Sequence, residues 1–174
     1  MTGPGTLDWR PATADLVAEP VTAAIIGWRS DLLAAPIDPA LADTAAFCAH
    51  YDIEPADSAN CVVIAGRRSE LTRYAACVVL ATTRADVNGV VRRRLDARKA
   101  SFAPMDDAVA LTGMEYGGIT PIGLPAGWPV LVDRAVLDRD IVVIGSGLRR
   151  SKIALPAAAL AELPGAEVVG GLAG

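Results

Sequence analysis

The chain is short of the groups that most enzymes use for covalent or metal chemistry. Among 174 residues there is one histidine, His50, and there are three cysteines, Cys48, Cys61 and Cys77. A single histidine excludes a cluster of imidazole ligands and a relay between two imidazoles, and His50 reads as a helix-end or surface residue. The odd cysteine count lacks the paired spacing of a zinc site, and each cysteine lies in an apolar run, as a buried free thiol does. Neither a metal nor a cofactor is expected. Aromatic residues make up only 5%, so a core has to be built mainly from Ala, Val, Leu and Ile. Positive charge is also in deficit, with 16 Lys and Arg against 20 Asp and Glu and a net charge of −4. That balance argues against strong non-specific binding to DNA or other nucleic acid, while leaving room for one local basic face. No apolar run approaches the ~18 residues of a membrane span. The first ten residues lack the cationic start and apolar stretch of a signal peptide. A cytoplasmic location with no membrane partner is the expectation.

What is present suits a folded domain. Hydrophobic residues reach 52% and charged residues 21%, and 174 residues fit one domain with a sizeable core. Residues 1–35 read as an N-terminal helical extension, weakly amphipathic over Thr13–Ile26 and interrupted at Pro20. Ala34–Pro39 reads as a linker, because each proline disfavours helix in the residue before it. The main domain then spans 36–174. Its predicted elements are a helix over Ala40–Tyr51, strands at Asn60–Ala65 and Tyr74–Ala81 joined through Arg67–Glu70, and a helix capped by Asp86 and running to about Arg98. A short helix over Met105–Leu111, strands at Pro129–Val132 and Ile141–Ile144, and a last helix over Pro156–Leu163 complete the set.

The most informative stretch is Leu111–Pro125, in which glycine and proline alternate with small polar and apolar residues. Glycine permits positive φ and close backbone approach, and proline fixes φ near about −65°. Such a loop presents its own N–H and C=O groups in a set geometry, so the backbone is the expected ligand-handling element. Gly117 and Pro121 stand in a Gly-x-x-x-Pro spacing. Around them come Thr44-Ala45-Ala46, Asp86, Ala103, Leu111-Thr112-Gly113, Val130-Leu131-Val132-Asp133 and Ile144-Gly145-Ser146-Gly147-Leu148-Arg149-Arg150. In this joint order, from about Asp38 to Val169, the chain resembles the YbaK/prolyl-tRNA-synthetase-associated aminoacyl-tRNA editing domains.

The resemblance implies an α+β fold with a mixed, strongly curved, partly barrel-like sheet flanked by short helices. It implies a free-standing aminoacyl-tRNA deacylase, a hydrolase of translation fidelity whose partner is a tRNA mischarged with a small amino acid. In such domains a water attacks the ester carbonyl, positioned by backbone groups of the glycine-proline loop and by hydroxyls of the terminal ribose. Carried onto this chain, Gly117, Gly118 and Pro121 form the reactive loop. Gly145, Ser146, Gly147, Arg149 and Arg150 form a second wall, and Thr44, Thr120 and Asp133 lie near the substrate. The chain departs from the family at Asn60, where the pattern has a lysine at the start of the first long strand. An amide offers donors and an acceptor but no charge.

Two functional readings follow from that departure: a retuned deacylase with Asn60 as a substituted polar contact, or a non-catalytic binder of tRNA or of a small amino-acid-like ligand. A protein-interaction module using residues 1–35 is a third, and a homo-oligomer is compatible with any of them. The basic residues Arg92, Arg93 and Lys99, expected to point outward from the 86–98 helix, are candidates for tRNA phosphate contacts, which position a nucleic acid without reading its sequence. Lys152, with Arg149 and Arg150 after Gly145-Ser146-Gly147, is a candidate contact for tRNA phosphate or for the substrate, with a solvated turn as the alternative.

Overall fold

The computed structural model describes residues 2–174. Nine strands form two sheets. β1 (Arg10–Pro11), β2 (Leu33–Pro36), β7 (Ile141–Gly145) and β8 (Ser151–Pro156) build a four-stranded sheet in the order β1-β2-β8-β7, antiparallel throughout. β3 (Ala59–Arg68), β4 (Leu71–Leu80), β5 (Lys99–Phe102), β6 (Val130–Asp133) and β9 (Ala166–Val169) build a five-stranded sheet in the order β5-β3-β4-β6-β9. Its β3-β4 and β3-β5 pairs are antiparallel, and β4-β6 and β6-β9 are parallel. The fold is thus α+β with mixed pairing, as the resemblance implies. The strands do not close into one barrel; a parallel bridge from Ser58 to Val143 brings the edge of one sheet to the other.

Near-continuous apolar strand sequences follow from burial on both faces. In β7 and β8, Val142, Ile144, Ile153 and Leu155 point into the central core, with Val78, Leu80, Val130 and Val132 of the other sheet. Val143 and Ala154 face the other way, onto Phe47 and Cys48 of α2 (Thr44–Tyr51). Cys77, Val79 and Leu131 likewise turn outward to pack with Val91 and Leu95. Asp43 caps α2 through its side chain, and Asp52 ends the helix in the left-handed region with φ 57°.

The segment before residue 36 is where the structure departs most from the sequence reading. Pro20 sits in the first turn of α1 (Glu19–Ile25) and begins that helix rather than interrupting a longer one. The expected linker at Ala34–Pro39 is β2 and its exit. Leu16, Val17, Ala18, Val21, Leu32 and Ala34 are all buried in the central core, so this segment packs as part of the domain and not as an extension from it. The helix expected over 86–98 is also shorter. Asp86 does cap it, accepting from the N–H groups of Gly89 and Val90 at 3.0 and 3.2 Å, but Val87–Val91 is a π-turn followed by a single α-turn, α3 (Arg92–Arg94). Lys99 therefore lies on edge strand β5, opposite Arg67, rather than on a helix face. The last helix is a 3₁₀ segment, Ala157–Glu162. Between β5 and β6 run α4 (Met105–Thr112) and the glycine-proline loop, and α5 (Arg134–Leu137) follows β6.

Candidate functional site

The site forms where a strand edge is left open. β5 is short and covers only Ile64–Arg67 of the β3 edge. The β3 residues before it, Ala59 to Val63, line a cavity of about 240 Å³ whose other walls are Ala42–Thr44, Phe102–Ala103, Ala108, Tyr116, Gly117, Ile119, Gly145 and Lys152. Strands of both sheets, α4, the approach to α2 and the glycine-proline loop therefore converge on one small concavity. At its mouth Phe102 and Tyr116 are 62% and 53% exposed, an unusual position for aromatics in a chain with so few.

Of the residues singled out from sequence, the cavity brings together Asn60, Thr44, Gly117, Gly145 and Lys152. The Thr44 hydroxyl donates to Asn60 Oδ1 at 2.7 Å, which fixes the amide and leaves its nitrogen as the remaining donor. Gly117 adopts φ 90°, open to glycine and strained for other residues. The N–H groups of Gly117 and Ile119 make no hydrogen bond among the described residues, whereas Gly118 is fully engaged. Its N–H donates to Glu115 O at 3.0 Å and its carbonyl accepts from Gly147 N at 2.6 Å.

Other sequence candidates lie outside the cavity walls. Gly118, Ser146 and Gly147 are the joint between the glycine-proline loop and the β7-β8 turn: Ser146 Oγ lies 2.6 Å from Ser151 Oγ, and Glu115 N donates to Gly147 O at 2.9 Å. Arg149 stands beside Gly117 and ties loops together, donating to Tyr116 O at 3.3 Å and Pro39 O at 3.1 Å, while its N–H donates to Glu115 Oε1. Arg150 donates to Asp15 O. Pro121 is buried and lines a second, larger cavity of about 650 Å³, together with Pro125, Trp28 and Trp128. Trp128 also stacks on Tyr74, at 5.4 Å between ring centroids. Asp133 is buried at the end of β6, where burial pushes its carboxyl above the usual range.

Thr120 is completely buried, and its hydroxyl has no hydrogen-bond partner among the described residues. A buried unpaired hydroxyl costs roughly 1–3 kcal/mol. Thr120→Val keeps the shape and removes that cost, so the midpoint of urea unfolding should rise or stay level, with the site's activity unchanged. A fall in activity at unchanged stability would place Thr120 on the substrate.

From sequence, Lys152 is a candidate contact for tRNA phosphate or for the substrate, grouped for the former with Arg92, Arg93 and Lys99. The structure separates it from them. Arg93 and Lys99 are exposed and Arg92 is half-buried with its Nε on Asn88 O, while Lys152 is 7% exposed in the cavity wall. Burial lowers the Lys152 ammonium pKa; Cys48 and Asp43 nearby act against the shift and Arg149 adds to it. The thiols are not poised as nucleophiles. Burial raises all three, Cys61 on the cavity wall well above its ordinary value and Cys77 to about 12. No group of three or more His, Cys, Asp or Glu is placed to hold a metal among the described residues, nor is any described helix long and apolar enough to cross a membrane.

Compared with known proteins, residues 38–163 match the model of a family described as the aminoacyl-tRNA editing domain. No curated protein matches the chain. Among solved structures it is similar to the hypothetical protein APE2540, with a TM-score of 0.78 and 20% identity over 90% of this chain and 100% of that one. It is also similar to a proposed trans-editing enzyme for prolyl tRNA synthetase, with a TM-score of 0.75 and 19% identity over 91% of this chain and 97% of the other. At such identities these structures establish a shared fold.

Proposed function

Because the chain belongs to the aminoacyl-tRNA editing domain family, we propose that it is a deacylase that hydrolyses the ester of a small amino acid mischarged on tRNA. The observation that carries this reading is the pairing of unspent backbone amides, those of Gly117 and Ile119, with a cavity of about 240 Å³. That volume falls below the ~300–1,000 Å³ of ordinary small-molecule sites. It favours an aminoacyl group with a short side chain and leaves the rest of the nucleic acid outside.

The chemistry asks little of side chains. An aminoacyl ester is already activated, and water attack builds negative charge on the carbonyl oxygen before the C–O bond to the ribose breaks and the ribose hydroxyl leaves with a proton. Holding water and ester at near-attack distance supplies roughly 7–11 kcal/mol. An oriented donor facing the oxyanion adds about 3–4 kcal/mol. Gly117 N–H and Ile119 N–H are the backbone donors for that purpose, and Asn60, braced by Thr44, adds an amide. Phe102 and Tyr116 at the mouth offer faces on which the terminal bases stack, an interaction worth about 1–3 kcal/mol per base. Arg93 and Lys99 supply exposed charge for the acceptor stem, with Arg92 beside them. The alternative, a binding module, draws on Asn60, which brings no charge to β3.

The test is hydrolysis of tRNAs charged with alanine, serine, proline or cysteine, compared with Gly117→Ala. A Cβ at Gly117 meets the guanidinium end of Arg149, a side chain that can swing aside by giving up Tyr116 O, so the variant folds with a loss of about 1–2 kcal/mol from the positive φ. Its activity should fall at least a hundredfold, because the residue can no longer hold its amide at the same angle beside the ester. Full activity in the variant removes the loop from the mechanism. Retained binding without hydrolysis by the wild type favours the binding module.

A further inference from the structure

Resting on the deacylase reading, we propose that Lys152 is the positively charged donor to the scissile carbonyl oxygen of the aminoacyl ester, so that the site's cation is delivered from β8 rather than from β3. The argument begins with the strand. Ile153 and Leu155 of β8 enter the central core, so Lys152 and Ala154 lie on the opposite face, beside Phe47 of α2. In the ladder Lys152 stands between Gly145 of β7 and Ala35 of β2. Neither neighbour has a side chain beyond Cβ to crowd the lysine, which lines the cavity.

Its surroundings leave the ammonium undersatisfied. Nζ donates to Ala42 O at a long 3.4 Å and sits 4.9 Å from the centroid of the Phe47 ring. It has no carboxylate within ion-pair distance among the described residues. Burying an ammonium without a partner is strongly unfavourable, and one long hydrogen bond with one aromatic face offsets only part of that cost. Lys152 is also the only cation among the residues that line the cavity, which it shares with Asn60, Thr44, Gly117 and the carboxylate of Asp43. An acceptor oxygen arriving in the cavity completes the coordination that the protein leaves open. The phosphates of tRNA are poor candidates for that oxygen, since they stay hydrated outside so small a cavity, whereas the aminoacyl carbonyl must enter it.

The experiment compares kcat/KM for deacylation by wild type, Lys152→Met and the double variant Asn60→Lys/Lys152→Met. Methionine keeps the apolar stem and the packing on Phe47. Its loss should be about a hundredfold or more, as for removal of one oxyanion donor. Returning a lysine to residue 60 should recover at least tenfold, which a purely structural role for Lys152 would not allow. Lys152→Met within threefold of wild type overturns the inference while the deacylase reading stands; a wild type that hydrolyses no charged tRNA overturns both. Should Lys152→Met fail to fold, the wild type decides the question by NMR. The chain has only two lysines, Lys99 and Lys152, so ¹³C-lysine labelling gives two side-chain signals. The non-hydrolysable 3′-alanylamino-3′-deoxyadenosine should shift the Lys152 signal and leave exposed Lys99 unmoved. Binding of that analogue without a Lys152 shift counts against the proposal.

Discussion

Gly118→Ala should destabilise the protein by about 3 kcal/mol, the upper end of the usual range for overpacking, and should abolish the site. A Cβ on Gly118 would lie 2.6 Å from the carbonyl carbon and oxygen of Leu148 and 2.9 Å from its nitrogen. These are backbone atoms, with no rotamer to move them aside. Retreat of the loop is equally costly, because Gly118 is hydrogen-bonded through both of its backbone groups, to Glu115 O and from Gly147 N. The contact is reciprocal: a Cβ on Gly145 would meet the carbonyl oxygens of Gly118 and Ile119 at 2.6 Å. The two glycines let the glycine-proline loop and the β7-β8 turn touch backbone to backbone, which places Gly117 in the cavity wall. Urea unfolding of Gly117→Ala and Gly118→Ala side by side measures the difference. Stability of Gly118→Ala within 0.5 kcal/mol of wild type (roughly the scale of an unremarkable surface change) would contradict this packing.

Deletion of residues 1–35 is expected to leave no cooperatively folded protein. The deleted segment carries Leu16, Val17, Val21 and Leu32, between 0% and 6% exposed in the central core. At about 1.5–3 kcal/mol for each buried side chain, their loss removes about 6–12 kcal/mol, as much as the entire stability of a typical domain, about 5–15 kcal/mol. The deletion also strips β8 of its β2 partner, and Ser151 and Arg150 of the Leu16 and Asp15 carbonyls. Circular dichroism and thermal unfolding of the truncated chain provide the measurement. A sharp transition near that of the full chain would mean that residues 36–174 form an autonomous domain.

The sequence carried a good part of this structure. Val62, Val63 and Ile64 on one strand and Val78 and Val79 on the next announced the β3-β4 hairpin, because β-branched side chains suit a pleated sheet. Asp86 announced its cap through its own short-range chemistry, although the helix after it winds as a π-turn. The glycine-proline spacing located the loop, and Asn60 was recognisable as a departure from the family pattern. β2, β5, β8 and β9 were hidden, since four- to six-residue strands without clear alternation look like loops until a partner supplies their hydrogen bonds.

The site divides in the same way. Sequence alone narrowed the expectation: one histidine and no paired-cysteine spacing leave few side chains for covalent or metal chemistry, and the glycine-rich loop is where backbone amides are expected to act. Only tertiary structure decided which of the named residues meet. Lys152 and Asn60 are 92 positions apart on strands of different sheets, and they share a cavity because β5 is too short to cover the start of β3. Nothing local distinguishes Lys152 from Arg149 or Arg150 just before it. The pleat does, turning Lys152 inward between Gly145 and Ala35 while its neighbours stay on the turn. Local chemistry is written in adjacent residues, whereas burial of a charge depends on what distant strands leave uncovered.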